Sequence, residues 1–109
     1  MRLYTDQVRT PVDAASVADA VLRALERPAS GRIHLGGPER LSRYQLGLRV
    51  AATLGLPADG IVPVTTVEVP QAARRPADAS LDSNRARREL GREPRSLDGA
   101  IRDGRAAPD

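Results

Sequence analysis

Arg74-Arg75-Pro76-Ala77-Asp78-Ala79-Ser80-Leu81-Asp82 runs directly into Ser83-Asn84-Arg85-Ala86-Arg87-Arg88-Glu89-Leu90-Gly91. The first half sets two arginines before a proline and a short polar turn. The second half reads as a short helix near residues 83–90 that stops at Gly91. A guanidinium carried on such a turn can grip a phosphate or carboxylate through two parallel N–H···O bonds. The rest of the chain reads as the scaffold that places this turn.

Upstream, Leu3-Tyr4 is an apolar patch of a strand end, and Pro11 keeps Thr10 extended. Asp13 is an N-cap for a helix over about residues 14–27. Val17, Ala18, Val21, Leu22 and Leu25 form its apolar stripe, with Ser16, Asp19, Arg23 and Glu26 facing away. Pro28 and Gly31 end it. Arg32-Ile33-His34-Leu35 alternates polar and apolar and reads as a strand running into Gly36-Gly37-Pro38. Ser42 and Gln45 have capping-box spacing, Leu46, Val50, Ala51 and Leu54 make a second stripe, and Gly55 with Pro57 closes that helix. Residues 61–64 and 67–69 are β-like but interrupted by Pro63 and Pro70, which suits edge strands or extended loops. Downstream, Ser96 caps a last helix anchored by Leu97 and Ile101, and residues 105–109 read as a frayed tail. The fold class is therefore α/β, mostly helices with a few short strands.

Composition narrows the chemistry. The chain of 109 residues has room for one small domain, and with no Phe, no Trp and two Tyr its core lacks large side chains. All 17 basic residues are arginine. Schiff-base, phosphate-loop and tyrosine-assisting lysines are therefore excluded. No Cys is present, which removes disulfides, thiolate metal sites and cysteine nucleophiles. A single His34 makes no metal site without carboxylates. No apolar run reaches membrane-spanning length and no signal peptide opens the chain, so a soluble cytoplasmic protein is expected.

Five features carry residue types that could form a site. Gly36-Gly37 follows a strand, but Pro38 and the missing third glycine make it a plain turn rather than a dinucleotide cradle. Arg75 with Asp78 has two readings on the residues alone. Either Arg75 clamps a diphosphate while Asp78 orients it or meets a ligand hydroxyl, or this is a surface turn whose Arg–Asp pair contributes little. His34 and Tyr44 read as packing residues. Arg85, Arg87, Arg88, Arg92 and Arg95 are interleaved with acids and have no aromatic neighbours, so a solvated helix face is a better reading than a nucleic-acid surface.

The ordered series Asp6-Gln7-x-Arg9-Thr10-Pro11-Val12, Val17-Ala18, Gly31-x-Ile33-His34-Leu35-x-Gly37, Ser42-Arg43-Tyr44 and Arg75-Pro76-x-Asp78-x-x-Leu81-Asp82 resembles the C-terminal portion of the dTDP-4-dehydrorhamnose reductase family. Arg88-Glu89-Leu90-Gly91 and Leu97-x-x-Ala100-Ile101 resemble the end of such enzymes. That family lies within the extended short-chain dehydrogenases that act on sugar nucleotides.

The resemblance implies a Rossmann-type fold of which this chain is the incomplete C-terminal part. Residues 1–104 would form a partial sugar-nucleotide-binding region. Arg75 and its neighbour Arg74, with Asp78, would meet the ligand diphosphate, and Asp6, Gln7 and Arg9 would lie on the substrate side. NADH or NADPH is implied for the full-length enzyme and no cofactor for this chain, which has neither a glycine-rich loop nor a Tyr-x-x-x-Lys pair. The expected partners are a nucleotide sugar and the missing N-terminal Rossmann half, or another protein. The chain is then expected to be inactive and to fold poorly alone. The rival readings are a non-catalytic regulatory or protein-binding module and, less well supported, a basic nucleic-acid binder.

Overall fold

The computed structural model describes residues 1–27, 30–69 and 76–106. Its elements are β1 (Arg2–Tyr4), β2 (Val8–Arg9), α1 (Ala14–Glu26), β3 (Leu41–Ser42), α2 (Arg43–Leu54), β4 (Val62–Val64), a 3-10 turn (Thr66–Glu68), α3 (Asn84–Leu90) and α4 (Leu97–Ala106). Helices dominate and the strands are short, as the composition and periodicity imply.

Local chemistry places most of the helix ends. The Asp13 carboxylate accepts the Ser16 N–H at 3.2 Å and starts α1. Ser42 and Gln45 form a complete capping box, with Gln45 N–H donating to Ser42 Oγ at 3.1 Å and Ser42 N–H to Gln45 Oε1 at 2.8 Å. Gly55 and Gly91 end α2 and α3 at φ 68° and 65°, the left-handed region where a Cβ is penalised. Ser96 Oγ accepts the Gly99 N–H at 3.2 Å at the start of α4. That helix includes Arg105 and Ala106, while residues 107–109 of the expected tail lie outside the described residues.

Two small ladders tie distant segments together. β1 and β4 pair in parallel, Arg2 opposite Val62 and Tyr4 opposite Val64, with everything from β2 to α2 as the crossover. β2 and β3 pair antiparallel, Val8 opposite Ser42. α2 lies on β1 and against α4, while α1 packs on α3.

Three expectations are corrected. Residues 32–35 form no strand among the described residues, because no strand lies alongside them. Instead Arg85 holds this stretch by donating to the carbonyls of Arg32 and Ser30 at 2.5 and 2.6 Å, and His34 is exposed rather than packed. Residues 67–69 are not β-like: the segment begins a 3-10 turn at Thr66, started by a carboxylate 60 residues away.

The third correction concerns α1. Its buried contact is made by Ala20 and Ala24 against Ala86 and Leu90 of α3, with Ile33 and Leu35 at the edge. Arg23, expected to face away, donates from Nε to the Leu90 carbonyl at 3.0 Å. The expected apolar stripe faces outward, with Val21, Leu22 and Leu25 exposed by 53, 61 and 80%. Among the described residues the buried apolar set is Ala20, Ala51, Val64, Ala86, Leu90 and Leu97, half of it alanine. A Cα radius of gyration of 15.9 Å exceeds the roughly 13 Å of a compact domain of this length. The chain is open on the α1 side.

Candidate functional site

The site is built on residues 5–9, the bend between β1 and β2. Asp6 turns toward β4. Its carboxylate accepts the Thr66 N–H at 3.1 and 3.0 Å and the Thr66 hydroxyl at 2.7 Å. Gln7 is fully buried. Its Oε1 accepts Arg43 Nε at 3.0 Å and its carbonyl accepts the Arg43 N–H at 3.1 Å. Its Nε2 is buried without a partner.

Val8 and Arg9 reach the polar turn. The Val8 N–H donates to the Ala77 carbonyl at 2.6 Å and the Ala79 N–H donates to the Val8 carbonyl at 3.0 Å, a parallel bridge centred on Asp78. Arg9 donates to its neighbour's carbonyl at Val8 (2.7 Å) and to the Pro76 carbonyl (3.2 Å). Arg74 and Arg75 lie outside the described residues, but Pro76, directly after them, is held.

Asp78 has two occupations. Its Oδ1 accepts the Ser80 N–H and hydroxyl at 2.9 and 2.6 Å, and its other oxygen pairs with Arg40. Beside this pair opens a cleft of about 390 Å³ whose walls include Thr10, Gly37, Arg40, Ser80, Asn84 and Arg87. Thr10 braces it, its hydroxyl accepting the Leu81 N–H at 3.2 Å and its carbonyl the Gly37 N–H at 2.9 Å. Ser83 Oγ accepts the Gly36 N–H at 2.7 Å across the cleft floor.

The structure thus brings Arg9 and Asp78 to one place and turns Asp6 and Gln7 to its two flanks. Thr10, Arg40, Arg43 and Thr66 complete the arrangement. Sequence reasoning missed them, because Arg40 and Asp78 are 38 residues apart and no local spacing joins them.

A nicotinamide dinucleotide does not fit the glycine pair. A Cβ on Gly37 would sit 1.5 Å from the Pro11 carbonyl oxygen, and one on Gly36 would sit 2.3 Å from Thr10 Oγ1. Gly37 admits the Pro11 backbone and Gly36 the Thr10 side chain, leaving no room for a diphosphate at this pair. No group of three or more His, Asp or Glu among the described residues is placed to hold a metal ion. No described helix is long and apolar enough to cross a membrane.

Both carboxylates are held in their charged forms. Asp6 lies below the ordinary 3.8 chiefly because the Thr66 hydroxyl and amide donate to it. Asp78 is pushed well below the carboxylate range by Arg40 first and Ser80 second. A carboxyl depressed in the folded state stabilises the fold above its unfolded pKa and loses that contribution as pH falls through the folded value. Thermal midpoints measured from pH 6 down to pH 2 are expected to fall steeply only below pH 4. Asp6→Asn should start lower at pH 6 and show a flatter acid limb. An acid limb identical to the parent's would remove Asp6 from this account.

Comparison with known proteins adds independent findings. Residues 1–105 match the family described as the RmlD substrate binding domain. A probable low-salt glycan biosynthesis reductase, Agl14 of Haloferax volcanii, is 29% identical over 89 residues, 82% of this chain and 30% of the relative. The dTDP-4-dehydrorhamnose reductase of Bacillus anthracis, solved with NADP, superposes at a TM-score of 0.82 with 17% identity, over 94% of this chain and 36% of that one. The dTDP-4-dehydrorhamnose reductase of Yersinia enterocolitica superposes at 0.76 with 18% identity over the same shares. The chain therefore spans about a third of the length of these relatives.

Proposed function

Because the chain belongs to the RmlD substrate binding domain family, we propose that it grips the nucleotide sugar of an NAD(P)H-dependent reductase of the dTDP-4-dehydrorhamnose reductase type. Arg75, with Arg74 beside it, meets the diphosphate. Asp78 orients the turn that carries them. Asp6, Gln7 and Arg9 serve the same site from the bend beneath it.

The observation that carries this reading is the anchorage of residues 76–79. The Val8 bridge, the Arg9 bond to Pro76 and the Arg40–Asp78 pair fix the segment just after the two arginines at the edge of the cleft. Anchoring the residues that follow a guanidinium would lower what it loses on binding, which favours bidentate contact with a diphosphate.

The reduction itself belongs elsewhere. With no lysine in the chain there is no Tyr–Lys acid, and the glycine pair is closed to a dinucleotide. NADH or NADPH and the proton donor come from a Rossmann half that covers the apolar face of α1. The chain alone is inactive, and its place of action is the cytoplasm.

The test is calorimetric titration of thymidine diphosphate and of UDP into the chain, its Arg75→Ala variant and the Arg74→Ala/Arg75→Ala double variant. Losing a charge-assisted pair should weaken binding by about 10- to 100-fold. Equal affinity across all three proteins would sink the assignment.

A second reading has one observation behind it. The exposed α1 stripe of Val21, Leu22 and Leu25 equally suits a non-catalytic module that docks on another protein. Absence of any nucleoside diphosphate binding, with a stable complex that Leu22→Glu abolishes, would favour it.

A further inference from the structure

A second opening lies apart from the cleft beside Asp78. α2, β1 and the segment 56–61 wall an apolar groove of about 530 Å³. Eleven described residues line it, and Arg43 is the one charged side chain among them. Arg43, Leu46, Gly47 and Val50 follow one another at helical spacing, so the arginine stands at one end of the groove. Gly47 brings β1 onto this face. A Cβ added there would lie 2.4 Å from Leu3 Cδ1 and 3.7 Å from Ile61 Cδ1. The Met1 ammonium, at the rim, donates to the Gly60 carbonyl at 2.9 Å.

Arg43 is held without being neutralised. Its Nε donates to Oε1 of the fully buried Gln7 at 3.0 Å, and its backbone N–H to the Gln7 carbonyl at 3.1 Å. Its two Nη groups make no hydrogen bond and no ion pair among the described residues. A guanidinium tied through Nε keeps its Nη pair as parallel donors, which match the two oxygens of a carboxylate.

We infer that the groove is a binding site for a free single-chain carboxylate amphiphile. Its alkyl chain lies along Leu3, Leu46, Val50 and Ile61, and its carboxylate meets Arg43. Charge and size decide the class. One guanidinium balances one negative charge, which suits a carboxylate better than a phosphate monoester of about −1.5 to −2. Eleven lining residues fall short of the roughly 20–30 that a stable protein partner covers on each side. The volume lies within the roughly 300–1,000 Å³ of small-molecule sites. Nothing in this assignment rests on the nucleotide-sugar reading.

Decanoate, titrated calorimetrically below its micelle concentration, is the probe. Octanoate and hexanoate should bind more weakly, by about 2- to 4-fold for each methylene removed. Decanol, equally long but uncharged, should lose about 5- to 20-fold against decanoate, and so should decanoate on Arg43→Gln. High salt should shrink that loss and leave the chain-length steps in place. Leu56 is 50% exposed on the groove wall, so substituting it spares the fold. Leu56→Glu sets a second carboxylate beside the ligand and should weaken decanoate by about 10-fold or more, with Leu56→Gln between. Thymidine diphosphate affinity should not change in either.

Absence of saturable decanoate binding overturns the inference. So does decanol that binds as tightly as decanoate, because Arg43 would then play no part. If Arg43→Gln melts early through loss of its bond to Gln7, Leu56→Glu decides, and an unchanged decanoate affinity there overturns the site. Sedimentation with phosphatidylglycerol vesicles, without binding of free decanoate, would make the face a membrane contact and also overturn it. Decanoate binding in the expected order, with no form binding thymidine diphosphate, keeps the groove and discards only the nucleotide.

Discussion

Replacing Gly37 with alanine is expected to destabilise the chain by about 3 kcal/mol or more, enough to unfold a domain of this size. A Cβ there would lie 1.5 Å from the Pro11 carbonyl oxygen and 2.5 Å from its carbon. Both are backbone atoms, so no side-chain rotation relieves the clash. The two strands of chain must separate, breaking the Gly37 N–H bond to the Thr10 carbonyl. Thr10 also holds the Leu81 amide, so the cleft loses its brace at the same time. With a urea slope of about 1–3 kcal/mol per molar, the midpoint should drop by roughly 1–3 M. Gly60, whose added Cβ would meet nothing within 4 Å, is the control, and Gly60→Ala should be near neutral. A Gly37→Ala midpoint matching that control would mean the close approach does not exist in solution.

The second large effect is expected at Leu90. It is 3% exposed and packs with Ala20 and Ala86, its nearest apolar company otherwise being Ala24, Ile33 and Leu35. Its neighbours on α1 and α3 are alanines, which have little side chain to move into the space a truncation leaves. Leu90→Ala should therefore cost about 2–4 kcal/mol. Leu25→Ala should stay within about 0.5 kcal/mol of the parent, since Leu25 is 80% exposed. The helical pattern of α1 suggests the reverse order. Measured urea midpoints that rank Leu25 above Leu90 would show that α1 turns its stripe inward in solution.

That inversion shows where sequence reading succeeds and where it stops. Asp13, Ser42 with Gln45, Gly55 and Gly91 act within a few residues of themselves, so their spacing alone places the helix ends. α1 was legible as a helix but its buried face was not. A stripe of Val and Leu records which side becomes apolar, whereas the contact made inside this chain uses Ala20 and Ala24 because α3 approaches closely. Residues 32–35 carry a strand's alternation, yet a strand exists only beside a partner. Thr66 shows the converse, since a carboxylate 60 residues away sets its conformation.

The site divides in the same way. Asp6, Gln7, Arg9 and Asp78 stand out because of a recognisable series. What each does depends on Thr66, Arg43, Pro76 and Arg40, and no spacing rule links those partners. Arg40 looks like any exposed arginine until the fold sets it against Asp78.

The grips made by residues 5–10 also dictate an order of events during synthesis. Their partners lie between Val64 and Leu81, as far as 71 residues downstream, whereas α1 and α2 close on bonds four residues long. Helices of this kind form in well under a millisecond, but contacts of such long reach are slow. On a ribosome adding about 5–20 residues per second, the opening bend waits roughly 4–14 s for the segment it will hold. During that interval β1 lacks its β4 partner. The nascent chain is most exposed to chaperones, and to its own copies, before Leu81 emerges.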